Sequence, residues 1–221
     1  MHIFRFGPFG ALVLLLLVPA VTHASGGSYL VDDASTTPAG HCQLESWLQV
    51  FRDGHVALTS TPACARGPVE FSLGLSRLNA PHGDSQMPAM KWLVRDGGDQ
   101  GLSIALDANT TFEHGHHVAN NAYAAFSQSL DATGQWTANV NLGVDQVRGN
   151  RWRALAGVGL EYAPVTEVSF LVEHLRIAGR SSSTQGGVRF HIGSSSLDLV
   201  LGYNRDRQVA RWGTVGWNMA F

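Results

Sequence analysis

Along most of the chain, apolar and polar side chains alternate at period two. The clearest run is 135–147, with Trp136, Ala138, Val140, Leu142 and Val144 on one side and Thr137, Asn139, Asn141, Gly143 and Asp145 on the other. Leu102, Ile104, Leu106 and Ala108 likewise oppose Ser103, Ala105, Asp107 and Asn109. Leu197, Leu199, Leu201 and Tyr203 oppose Asp198, Val200, Gly202 and Asn204. An amphipathic helix would repeat at 3.6 residues, so these runs predict strands. About twelve such segments, separated by turn residues, cover 41–51, 56–64, 68–78, 87–96, 101–112, 121–131, 135–147, 152–163, 167–177, 184–193, 196–206 and 210–221. Short strands at this spacing predict an all-β antiparallel fold.

Which face is inside decides the class. A soluble barrel would turn its large apolar residues inward and carry charge outside. Here the polar face holds Gly, Ser, Asn, Asp, Glu and Arg, while the apolar face stays nearly free of charge for nine or ten residues at a time. Aromatic residues stand at the ends of the segments around 102–112, 136–144 and 152–162, where an interfacial girdle would sit. The pattern therefore predicts a transmembrane β-barrel with lipid-facing apolar rows and a polar bore. The two ends of the chain agree. Val215, Trp217, Met219 and Phe221 alternate with Thr214, Gly216, Asn218 and Ala220 up to the last residue. Thr214, Gly216, Met219 and Phe221 resemble the terminal insertion signal of bacterial outer-membrane barrels, which engages the barrel-assembly machinery. At the other end, Arg5, the apolar run Ala11–Val18, Pro19 and Thr22-His23-Ala24 read as a secretory signal peptide over 1–24. No later apolar run is long enough to cross a bilayer as a helix. Export followed by outer-membrane insertion of a barrel over 41–221 is the expectation, with 25–40, rich in Gly, Ser, Thr and Asp, as a periplasmic lead-in.

Composition changes little. The formal net charge is −2, which gives no basic field for nucleic acid. Of 15 cationic residues, Lys91 alone is a lysine. The 25 glycines are scattered through the strands rather than gathered in a linker. The only cysteines are Cys42 and Cys64. If the first hairpin turns about Asp53, they stand opposite each other within disulfide reach, and an oxidising compartment would close the bridge. Free thiols and a metal pair are the alternatives.

The polar face carries Glu45, Glu70, Lys91, Arg95, Asp107, Asp145, Arg153, Glu161, Glu173, Arg189, His191 and Asp198 as candidate bore-lining residues. Their charges must pair or stay wet, so they line a narrow aqueous path or lock the interior as a network. A turn on Arg148-Gly149-Asn150 would set Asp145 against Arg153. A turn at Ser194-Ser195 would set His191 against Asp198 near Ser196. That trio could serve a hydrolase, but a structural His–carboxylate pair is the better reading, and no catalytic residue is assigned. His114, His116 and His117, in the connection after the fifth strand, are weak metal candidates, since three imidazoles in four residues suit Zn, Cu or Ni. No cofactor is expected.

Residues 31–45 resemble the opening of a family of small bacterial outer-membrane proteins loosely named for a phenol meta-degradation pathway. Asp32, Asp33, Ala34, Gly40, Gln43, Leu44 and Glu45 carry the likeness. The region 162–204 is similar too, through Pro164, Glu173, Gly186-Gly187-Val188-Arg189, Leu197-Asp198-Leu199 and Gly202-Tyr203. The two cysteines depart from the commonest form of that opening. The resemblance implies a barrel that passes or binds small, often hydrophobic molecules, with no catalytic residues. The expected function is a non-enzymatic channel or uptake protein in the outer-membrane lipid. A closed structural or interaction barrel and a lipid hydrolase are the alternatives.

Overall fold

The structure is a computed structural model that describes residues 28–79, 83–180, 182–205 and 211–221. The signal-peptide segment 1–24 lies outside the described residues. Twelve strands follow one another: β1 (Cys42–Phe51), β2 (Val56–Arg66), β3 (Val69–Leu78), β4 (Asp84–Arg95), β5 (Ser103–Glu113), β6 (His116–Ser129), β7 (Trp136–Val147), β8 (Arg153–Val165), β9 (Val168–Ile177), β10 (Ser182–Ile192), β11 (Ser195–Asn204) and β12 (Arg211–Ala220). Each pairs antiparallel with its chain neighbours, and β1 pairs with β12, so the barrel closes without an edge. Residues 41–42 and Phe221 meet at one end of the barrel, called here the terminal end; Cys42 N donates to Phe221 O at 2.9 Å.

The expected facing holds. Leu58, Phe71, Leu142, Val158, Val172, Leu201 and Val215 are exposed on the outside, Leu201 at 74%. Gln43, Glu45, Glu70, Lys91, Asn139, Asn141, Asp145, Glu173, Gln185, Arg189, Asp198 and Asn218 are buried inside. β12 shows the alternation most plainly: Thr214, Gly216, Asn218 and Ala220 point in, while Val215, Trp217 and Met219 point out. Phe71, Trp92, Trp136, Phe170, Phe190 and Trp217 are all exposed close to the terminal end, and Trp136 stacks on Tyr162 at 4.4 Å. That belt is the aromatic girdle expected of a membrane interface.

Two strand boundaries differ from the expectation by three residues or more. β4 begins at Asp84 rather than 87, and β6 at His116 rather than 121. The second difference has a local cause: His114 (φ 49°) and Gly115 (φ 77°) form a two-residue turn with positive φ at both positions, so the strand resumes at once. A register shift between Leu93 and Arg95 leaves Arg95 exposed at the end of β4 rather than in the bore. The bridge between Cys42 and Cys64 is formed as the register predicts, with an S–S distance of 2.04 Å and a Cα–Cα distance of 4.1 Å.

The larger correction concerns the lead-in. From Ser28 to Gly40 the chain does not hang below the barrel but runs inside it. No ladder is available to its backbone there, and the polar inner wall satisfies its amides instead.

Candidate functional site: a strapped bore

Segment 28–40, here the strap, crosses the bore with anchors spread from β2 to β11. Near the terminal end Gly40 N donates to Ala65 O at 3.0 Å, and Thr37 N donates to Glu70 Oε2 at 2.6 Å. Ala34 N donates to Ser127 Oγ at 2.8 Å. Asn141 then holds Asp32 through both backbone groups: Asp32 N donates to Oδ1 and Nδ2 donates to Asp32 O, each at 2.7 Å. A side-chain amide thus supplies the donor and acceptor that a neighbouring strand would offer. The carboxylate of Glu173 accepts from Leu30 N at 3.0 Å and Val31 N at 3.3 Å. Ser28 Oγ donates to Asp198 Oδ2 at 3.0 Å, and Gln185 Nε2 donates to Ser28 O at 3.0 Å.

Ion pairs complete the seam. Lys91 Nζ sits 2.9 Å from Asp32 Oδ2 and 3.8 Å from Asp33 Oδ1, and Tyr123 OH donates to Asp32 Oδ2 at 2.9 Å. Arg189 grips Asp198 with Nε at 2.6 Å and Nη2 at 2.8 Å, while its guanidinium lies 4.2 Å over the ring of Tyr29. Asn218 Nδ2 adds a bond to Asp198 at 3.0 Å. The inner wall is cut back where the strap passes. A Cβ on Gly157 would meet Val31 Cγ2 at 3.0 Å, and one on Gly159 would meet Val31 Cβ at 3.5 Å.

Beside the strap the bore opens into a chamber of about 350 Å³, lined by Asp32, Glu45, Glu70, Lys91 and Asp107 with Trp47, Met87, Tyr123, Leu155 and Leu175. Further toward the far end, Trp212 lies flat across β11; a Cβ on Gly202 would stand 2.2 Å from its Cε2.

Of the bore residues expected from sequence, Glu45, Glu70, Lys91, Asp145, Glu173, Arg189 and Asp198 are buried inside, and Asp107 lines the chamber. Arg153, Glu161 and His191 are half-buried. One expected facing holds with different charge partners, and one changes. Asp145 faces Arg153 in register, but its carboxylate meets Arg180 at 3.1 Å, and Arg153 Nη1 donates to Gly179 O at 2.7 Å. The last hairpin before β11 turns on Gly193-Ser194, with Gly193 at φ 61°, so Arg189 faces Asp198 and His191 faces Ser196. His191 Nε2 lies 3.3 Å from Ser169 Oγ. The histidines after β5 do not converge: His114 is in the turn, His116 is exposed, and His117 Nε2 bonds Asn120 Oδ1 at 3.0 Å. Thr214 and Gly216 face inward, Met219 and Phe221 outward.

Sequence reading missed the strap's own contributions, Tyr29 and Asp32, and the amides Asn141 and Gln185 that hold it. Asn141 was visible on the polar face of its strand, but nothing there indicated a chain segment as its partner.

A closed twelve-stranded antiparallel barrel with a polar bore is the architecture of porin-like membrane barrels. The chain belongs to the family described as Uncharacterised conserved protein UCP029691, whose model matches residues 13–221. No curated protein matches the sequence. Among solved structures, the KdgM porin is similar with TM-score 0.68 at 6% identity, over 81% of this chain and 99% of that one. The NanC porin gives 0.64 at 10% identity, over 80% and 98%. The COG4313 outer membrane channel from Pseudomonas putida F1 gives 0.58 at 9%, over 86% and 98%. These likenesses carry the barrel fold that the resemblance implied, but not its naming for a phenol pathway.

Proposed function

We propose that this chain is a non-enzymatic outer-membrane channel or uptake barrel for small solutes, with the strap as its internal constriction. The terminal end faces the periplasm, and Thr214, Gly216, Met219 and Phe221 form the signal engaged by the barrel-assembly machinery. The observation that carries the reading is the mode of attachment of the strap. It is bound mainly by side chains across a polar bore rather than by a strand ladder, so it narrows the passage without being part of the wall. The similar KdgM porin has also been solved in complex with disordered oligogalacturonate. The chamber here has four carboxyls and a single ammonium beside apolar side chains. A closed structural barrel is the second reading, favoured by the density of bonds along the strap.

Conductance in planar bilayers separates the two. The intact protein is expected to give small single-channel steps, and deletion of residues 28–37 to enlarge them several-fold. Two silent proteins that both migrate as folded, heat-modifiable barrels would rule out the channel.

A further inference from the structure

We propose that the chamber beside the strap is a binding site for a small organic cation, a primary alkylammonium held by its carboxylates with the alkyl part on its apolar wall. The proposal rests on the channel reading and names its solute class.

The charge arrangement points to a missing cation. Glu45 is 7% exposed, and among the described residues its one side-chain hydrogen bond is a 3.5 Å contact from Gln43 Nε2. Glu70 accepts from the strap amide of Thr37 at 2.6 Å, and Asp107 accepts from Asn109 Nδ2 at 3.0 Å. Lys91 stands between Glu70 and Asp107 in the β3–β4–β5 register, yet its Nζ turns 2.9 Å from Asp32 on the strap. Among the described residues, the ion pairs formed in the bore leave out Glu45, Glu70 and Asp107. Carboxylates gathered in a low-dielectric cavity are stabilised as anions by a counter-charge.

A second, independent group faces the same space. Thr61 lies opposite Glu45 in the β1–β2 register, lines the chamber, and is 9% exposed with no hydrogen-bond partner for its hydroxyl. An ammonium carries three donors, enough to serve two carboxylates and a hydroxyl. A bare metal ion fits poorly. The described residues contain no group of three or more His, Cys, Asp or Glu able to hold one. A chamber of about 350 Å³ also far exceeds an ion, and falls at the lower end of small-molecule sites. Trp47, Leu155 and Leu175 give that volume an apolar side.

The test is calorimetric titration of the full-length protein in detergent micelles with n-butylammonium, butyrate, butanol and potassium. Saturable binding of butylammonium, at least tenfold tighter than the other three, is expected. E45Q and D107N, checked for barrel folding by heat-modifiable migration, should each weaken it at least tenfold. Equal binding of butyrate, displacement by equimolar potassium, or undiminished affinity in folded E45Q and D107N would overturn the proposal. So would the absence of any saturable butylammonium signal. Liposome swelling with a neutral sugar is measured in parallel: swelling without butylammonium binding removes the site and leaves the channel, whereas neither removes both.

Discussion

Lys91 is the residue on which the strap turns. It is the chain's one lysine, 7% exposed, and its ammonium reaches Asp32 at 2.9 Å and Asp33 at 3.8 Å. A compact ammonium with three donors serves both adjacent carboxylates. Lys91→Met would leave Asp32 buried without its cation, a loss of about 3–5 kcal/mol for a buried pair. The strap amides of Leu30, Val31 and Asp32 should then exchange hydrogen on the order of a hundredfold faster by mass spectrometry. Unchanged protection would show that Asn141 and Glu173 hold the strap unaided. Half of this pair was legible: the alternation in β4 places Lys91 in the bore. The other half was not, because Asp32 lies in an irregular segment where no periodicity reports direction, and only its place in a resembling motif marked it out.

At the scale of elements, the strands were legible and the turns decided the errors. An apolar outer face and a polar bore impose period two on every strand, so twelve segments could be read directly. Register depends on one or two turn residues. The first hairpin centres on Asp53 and brings Cys42 to Cys64, whereas the turn at Gly193-Ser194 lies one position before the expected centre at Ser194-Ser195 and exchanges His191 for Arg189 as the partner of Asp198. The disulfide ties β1 to β2 just where the strap enters, two residues after Gly40. Replacing both cysteines with serine should lower barrel stability by about 3 kcal/mol, seen as an earlier heat-induced shift of the folded band on gels. No change would place the bridge outside the unfolding unit. The strap has its own steric test. Gly157→Leu would drive a side chain into Val31 Cγ2, which already stands 3.0 Å from a Cβ at that position. With both strands beside it fixed by ladders, the strap is the part that gives way. Conductance in this variant should approach that of the strap deletion; a closed, folded barrel would mean that the wall moves instead.

For the whole molecule, the deciding quantity is the charge the bore presents to a passing ion. The chain is close to neutral at −2, but the distribution is uneven. The far-end pair Asp145–Arg180 and the bidentate Arg189–Asp198 pair are each internally compensated. The chamber is not: Asp32, Glu45, Glu70 and Asp107 face Lys91 alone. Charges lining a narrow, poorly screened passage act on permeating ions more strongly than charges at an open rim. The intact protein should therefore prefer cations, seen as a non-zero reversal potential in a KCl gradient, and the triple variant E45Q/E70Q/D107N should bring that potential towards zero or past it. Deleting residues 28–37 makes a second demand on the same idea. It removes Asp32 and Asp33 and returns Lys91 to the bore while widening the passage, so conductance should rise as cation preference falls. A deletion that widens the pore and leaves the reversal potential where it was would place the selectivity at the mouths of the barrel rather than at the strap.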